Sequence, residues 1–190
     1  MSKLKIVYIV ISVLAFGISH GLASGSPPSL EEIAAHYSGI RNFTADISQI
    51  KRAAYLIRPL ETKVSLRVTQ KEIIWEVKDP KPFKVTISNG ELMFFDSDGK
   101  SARALSKPEY LKYENFISIL KAVVTVDVGV LREKFELSMK GFVLTLDPRD
   151  KKSAFKRIRV EFREDLNPKM IEMALENEDL KLNLERFRVE

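Results

Sequence analysis

From Phe43 almost to Glu190 the chain alternates hydrophobic and polar residues with a period of two, in short runs broken by turn residues. Phe43, Ala45 and Ile47 alternate with Thr44, Asp46 and Ser48. Val64, Leu66 and Val68 alternate with Lys63, Ser65, Arg67 and Thr69. Ile73, Trp75 and Val77 precede Phe83, Val85 and Ile87, with Asp79-Pro80-Lys81-Pro82 at the corner between them. Asn89-Gly90 then leads into Leu92-Met93-Phe94-Phe95, as a two-residue hairpin whose residues tolerate positive φ. The pattern resumes with Phe135, Leu137 and Met139, turns at Lys140-Gly141, and continues through Phe142, Leu144 and Leu146. Ile158, Val160 and Phe162, a turn at Asp165-Leu166-Asn167-Pro168, Ile171, Met173 and Leu175, and finally Leu180, Leu182 and Leu184 close it. Period-two alternation places one greasy and one polar face on each run, which predicts about ten short antiparallel strands in meander order.

Two stretches follow the helical period instead. Ser29 and Glu32 form an S-x-x-E capping box, after which Leu30, Ile33, Ala34, Tyr37 and Ile40 mark one apolar stripe ending near Gly39. Ser106 to Glu109 is a second capping box with Pro108 in the first turn, followed by Tyr113, Phe116, Ile117 and Leu120. A sheet with one greasy face must curl on itself or dock helices. The predicted fold is therefore mainly β, a strongly curved antiparallel sheet or incomplete β-barrel covered by amphipathic helices.

Those apolar faces either fill a core or wall a cavity for an apolar ligand. Wide or flexible inward candidates (Trp75, Phe94, Met139, Phe142, Met173) favour the second use. The expected cavity residues are Leu66, Val68, Ile73, Trp75, Phe94, Phe142, Leu144 and Val160. Tyr113, Phe116, Ile117 and Leu120 would form its lid.

The N-terminus sets the compartment. Lys3 and Lys5 precede the uncharged, mostly apolar run Ile6 to Ile18, and Gly21-Leu22-Ala23 places small residues where a signal peptidase reads. About thirteen apolar residues at roughly 1.5 Å each fall short of a hydrocarbon core near 30 Å. Residues 1–23 are expected to be a cleaved signal peptide, 24–28 a flexible leader, and 29–190 one domain working as a monomer in the periplasm. With no cysteine, the chain has no disulfide, no thiolate metal site and no site for its own acyl anchor. Without Lys3 and Lys5, 29 basic residues face 26 acidic ones, a weak argument for any polyanion, and nucleic acid is not an expected partner. His36 is the one histidine beyond the leader, so zinc chemistry and a Ser-His-Asp triad have little to work with.

Several of these segments resemble the periplasmic outer-membrane lipoprotein carrier family LolA, in order along nearly the whole chain. They are Phe43-Thr-Ala-Asp-Ile-Ser-Gln49 after a helix; Leu66-x-Val68 leading to Trp75 and the Pro80 corner; Ile87-Ser-Asn-Gly-Glu-Leu-Met-Phe-Phe-Asp96; Phe142-Val-Leu-Thr-Leu-Asp-Pro148; and the closing stretch from Phe162 to Leu184. The resemblance implies an unclosed β-barrel lidded by helices. Its cargo would be acylated lipoproteins, taken from an inner-membrane lipoprotein-releasing transporter and handed to an outer-membrane receptor. Where the family has an Arg-Pro pair that helps hold the lid, this chain has Thr69-Gln70-Lys71-Glu72.

Two other classes compete with the carrier: a LolA-like module for another lipid or glycolipid, and a regulatory or assembly module that recognises a protein. An enzyme is not expected. Asp46 and Glu76 fall on the polar parity, Asp96 sits at a hairpin end, and no pair has acid-base spacing. No phosphate-binding glycine motif occurs, and no cofactor is expected. The basic stretch Arg149, Lys151, Lys152, Lys156, Arg157, Arg159 and Arg163 reads as a solvated outer face or as a docking face for acidic groups.

Overall fold

The computed structural model describes residues 27–88, 91–96 and 118–190, and the backbone of 102–104. The expected signal peptide, the Asn89-Gly90 turn, the second capping box and the lid residues Tyr113, Phe116 and Ile117 lie outside the described residues. Among those described, no helix is long and apolar enough to cross a membrane.

Helix α1 (Leu30–Tyr37) starts on the expected capping box: Ser29 Oγ accepts from Glu32 N at 3.2 Å, and Ser29 N donates to Glu32 Oε2 at 2.7 Å. That backbone hydrogen bond, with the one from the Ser29 hydroxyl, holds the Glu32 carboxyl below its ordinary pKa. Then come β1 (Phe43–Ala53), β2 (Leu60–Val68), β3 (Glu72–Asp79), β4 (Phe83–Ser88), β5 (Glu91–Asp96) and β6 (Ala102–Ala104). Residues 118–124 are helical (α2), and α3 (Val128–Lys134) follows. The chain ends with β7 (Phe135–Lys140), β8 (Val143–Pro148), β9 (Phe155–Phe162), β10 (Pro168–Leu175) and β11 (Glu178–Val189).

All these strands form one sheet in the order β6-β5-β4-β3-β2-β1-β11-β10-β9-β8-β7. Every pairing is antiparallel, and the first and last strands meet at the centre. The sheet is curved and unclosed, with β6 and β7 as its edges. A flat sheet would hold β2 and β8 roughly 24 Å apart, at about 4.8 Å per strand. Here Leu66 of β2 and Leu144 of β8 belong to one buried cluster with Ile33 of α1, Val123 of α2 and Leu131 of α3. The chain must pass from the β6 edge to the β7 edge, and α2 and α3 make that passage along the concave side.

Local sequence explains the joints. Gly141, between β7 and β8, has a φ of 61°, which glycine adopts without penalty. The β9–β10 turn is closed by Asp165, whose carboxylate accepts from Asn167 N at 2.9 Å, while Arg163 Nη1 donates to the Pro168 carbonyl at 2.9 Å. Along β9, Ile158 and Val160 are buried between exposed Arg157 and Arg159. That outer face is laced with ion pairs: Arg157–Asp147 at 2.7 Å, Lys169–Glu161 at 2.6 Å, Arg159–Glu172 at 3.7 Å. Arg163 also donates to the Leu184 carbonyl, so it braces the sheet from within.

Three features depart from the sequence pattern. A third helix, α3, is present, capped by Asp127, whose carboxylate accepts from Val130 N at 3.1 Å. The short strand β6 adds a further edge to the sheet. In β11 a bulge between the Asp46–Arg186 and Ile47–Leu184 pairs leaves Glu185 over. The extra residue returns Phe187 to the inner face, where its ring lies 5.2 Å from Phe43 and 6.3 Å from Tyr37.

Candidate functional site

Cross-strand register fixes which side chains share the concave face. Phe43 pairs with Val68 and Val68 with Ile73; Leu66 pairs with Trp75, Trp75 with Val85, and Val85 with Phe94. On the other half of the sheet Leu144 pairs with Val160. Successive residues point to opposite faces, so these partners form ladders across the inner surface.

Between this surface and α2 lies a small apolar pocket of about 10 Å³, lined by Phe43, Leu66, Val68, Ile73, Trp75, Leu120, Lys121 and Val124. Four of the expected cavity residues (Leu66, Val68, Ile73, Trp75) and one expected lid residue (Leu120) thus meet at one place. Leu144 and Val160 lie elsewhere, fully buried at 0% exposure among the other strands. Phe142 packs half-buried against the core beside the Gly141 turn. Phe94 stacks on Phe83 at 6.2 Å, next to Trp75 through Val85. Sequence reasoning missed Phe43, Lys121 and Val124 as pocket walls. Phe43 was legible as an inward strand residue, whereas Val124 lies in an Ala122-Val123-Val124 run whose β-branched composition masks a helix.

A volume of about 10 Å³ holds no more than one water. A pocket for a drug-sized ligand takes roughly 300–1,000 Å³. The site as it stands is therefore closed, and only displacement of a wall could admit an acyl chain. Two walls differ in how they are fixed. The strands are hydrogen-bonded on both sides. Among the described residues, no hydrogen bond or ion pair joins 118–124 to the sheet, and α2 is held by Ile119, Leu120, Val123 and Val124 packing on the apolar face. Ile73 and Trp75 are only half-buried and mark the rim.

Helix α2 ends in a strained corner. Val126 N donates to Val123 O at 3.3 Å and Asp127 N to Ala122 O at 2.9 Å, the two bonds of a Schellman motif. The residue in the left-handed position is Val126, with a φ of 45°, where glycine is the usual occupant. A β-branched residue there is strained, and its buried side chain holds it in place. At the same end of the sheet, the segment Thr69-Gln70-Lys71-Glu72 closes on itself. Thr69 Oγ1 accepts from Lys71 N at 3.2 Å and Glu72 N at 3.0 Å, and Gln70 N donates to Asn42 Oδ1 at 3.2 Å. An open groove of about 660 Å³ runs beside this turn, lined by the end of α1, Arg41, Gln70 and the α2–α3 elbow, and shares Lys121 with the pocket.

The pocket lining carries a single polar side chain, Lys121. Among the described residues no cluster of metal-ligating side chains occurs. Thr86 Oγ1 is buried without a hydrogen-bond partner, but it pairs with Ile74 and Met93 on the opposite face from Trp75.

No family model and no curated protein matches the sequence. Among solved structures the chain is similar to a LolA superfamily protein from Nitrosomonas europaea, with 9% identity, a TM-score of 0.42, and coverage of 86% of this chain and 94% of that one. A putative outer membrane lipoprotein-sorting protein domain from Vibrio parahaemolyticus is also similar, at 14% identity and a TM-score of 0.41, covering 85% of this chain and 92% of that one. The lipoprotein LppX of Mycobacterium tuberculosis is similar at 12% identity and a TM-score of 0.46, covering 85% and 96%.

Proposed function

We propose that this chain is a non-enzymatic periplasmic carrier that shelters acyl chains between its curved sheet and α2, with acylated lipoproteins on their way from inner to outer membrane as its cargo. The observation that carries the reading is the helix α2, packed on the ladder of Leu66, Val68, Ile73 and Trp75, among the described residues, by apolar contacts alone. Burying a sixteen-carbon chain is worth roughly 12 kcal/mol, at about 0.8 kcal/mol per methylene. Such cargo needs continuous cover in water. When α2 lifts, the acyl chain takes the place of Leu120, Val123 and Val124 against the sheet, so apolar area is exchanged and not simply lost. Loading then sits near energetic balance and needs no nucleotide. The strained Val126 corner is where the helix would turn.

The choice of lipoprotein over another lipid rests on the ordered motifs shared with the LolA family. Transfer would run from an inner-membrane releasing transporter to an outer-membrane receptor, as in that family. The self-closed Thr69–Glu72 turn, standing where the family has its Arg-Pro pair, makes no polar bond to α2 among the described residues. The described part of the lid would open without breaking such a bond. Mass spectrometry of material extracted from the exported protein tests the reading. Acylated lipoprotein fragments are expected; a different lipid class would move the cargo assignment, and protein free of any lipid after gentle purification would count against a carrier.

A further inference from the structure

The loop joining β1 to β2, from Ala53 to Leu60, points apolar side chains into water. Ile57 is fully exposed, Tyr55 is 66% exposed and Leu60 42%, with Pro59 exposed beside them. The sequence between these ends, Ala-Ala-Tyr-Leu-Ile-Arg-Pro-Leu, contains no acidic residue and one base, exposed Arg58. The loop is also held in position. Tyr55 donates its hydroxyl proton to Glu178 Oε2 at 2.9 Å, Lys51 Nζ lies 2.6 Å from the same carboxylate, and Leu56 N donates to Ala53 O at 3.0 Å. Those contacts brace its base and leave Ile57 at the apex. Burial acts to lower the Lys51 pKa, but the bonds to Glu178 and Tyr55 outweigh it and raise the value, so the base of the loop stays charged and paired at neutral pH.

We infer that this hairpin tip is a membrane-docking point, which seats Ile57 and Leu60 in the interfacial layer of a lipid bilayer. Its chemistry fits that partner. Apolar side chains beside a tyrosine and an arginine match the headgroup boundary, where aromatic rings settle and arginine reaches phosphate with its stem in the apolar layer. The loop itself carries no acid: Glu178 is bonded to Lys51, Asp179 stands opposite Arg52 in the ladder, Glu61 lies on β2, and exposed Glu176 sits in the neighbouring β10–β11 turn. A protein partner fits less well. A stable protein interface takes roughly 800 Å² from each side with matched shape, far more than one convex hairpin tip offers, whereas a bilayer accepts an isolated apolar point. The tip lies at the far end of β1 from Phe43, about 33 Å along the strand at 3.3 Å per residue. Docking therefore leaves the α2 end of the sheet free to move.

The chain has no cysteine, so one introduced thiol can be labelled uniquely. The exported protein carrying Ala54→Cys and an environment-sensitive nitrobenzoxadiazole dye is mixed with vesicles of phosphatidylcholine, alone and in equal mixture with phosphatidylglycerol. A blue-shifted, brighter signal is expected at position 54 with both, stronger with the anionic mixture, and none from the same dye at Lys140→Cys, exposed beside the β7–β8 turn at the opposite end of the sheet. Adding Ile57→Asp should weaken vesicle binding at least about tenfold, as expected for losing one buried aliphatic side chain. Because residue 57 touches solvent, that variant folds as the parent does, which its circular dichroism checks. A silent dye at position 54, or a response that Ile57→Asp leaves unchanged, overturns the proposal. A silent dye beside a retained protein cross-link at position 54 would assign the tip to a protein partner instead.

Discussion

The hydroxyl of Tyr37 donates to the carbonyl oxygen of Leu166 at 2.9 Å, tying the last turn of α1 to the β9–β10 turn. Burial is the main reason its phenol titrates far above the ordinary value, so it remains a donor at any working pH. Helix α1 is thus tied to the sheet by a polar bond, while the described part of α2 has no such tie. On the proposed reading, α1 is permanent cover and α2 is the moving wall.

Replacing Tyr37 with Phe should cost about 1 kcal/mol of stability, the usual net value of one such bond, because the ring stays packed against Phe187. Denaturant unfolding would register the loss. Acyl-chain binding should not change, because α1 does not line the pocket.

At Val126 the usual ranking of substitutions should depend on backbone conformation. Val126→Ala removes buried side-chain contacts and keeps the left-handed penalty of about 1–2 kcal/mol. Val126→Gly removes the same contacts and the penalty with them. Glycine should therefore be the more stable variant, by about 1 kcal/mol or more, as read from the midpoint of thermal or urea unfolding. If alanine proves the more stable, the corner is not strained.

Acid should loosen the β9–β10 turn. Burial alone would raise the Asp165 pKa, but hydrogen bonds from the Asn167 backbone and side chain, with Arg163 nearby, outweigh it and hold the value below the ordinary 3.8. A carboxyl depressed on folding contributes stability that is complete above its unfolded pKa and fades as pH falls through the folded one. Asp165→Asn should remove that acid-side slope from a plot of stability against pH and leave the neutral and alkaline range parallel to the parent.

Much of this architecture can be read from the chain because strand patterning is local. Leu66, Val68, Ile73, Trp75, Phe94, Leu144 and Val160 all face inward as their parity requires, and the Ser29–Glu32 box starts α1 where its spacing places it. Parity breaks where a bulge intervenes: Phe187 should face outward by counting from Leu184, and the extra Glu185 turns it in. Helix α3 is hidden because Val128 and Val130 disfavour helices intrinsically, and Asp127 capping with Leu131 burial outweighs that preference. Pattern also cannot separate core from pocket wall. Leu144 and Leu66 have the same character, yet only Leu66 borders the space beneath α2, because that helix crosses one half of the sheet.

Trp75 is the sole tryptophan of the chain and stands on the rim of the pocket, so its fluorescence reports directly on what enters beneath α2. Titrating the protein with a fatty acid brominated along its chain places a quencher where cargo is proposed to lie. Saturable quenching of Trp75 is expected, relieved by competition with the unbrominated fatty acid and weakened in Leu66→Asp checked for a retained fold. Fluorescence that does not respond to the brominated chain at any concentration below its micelle point would contradict an acyl-binding cavity between the sheet and α2.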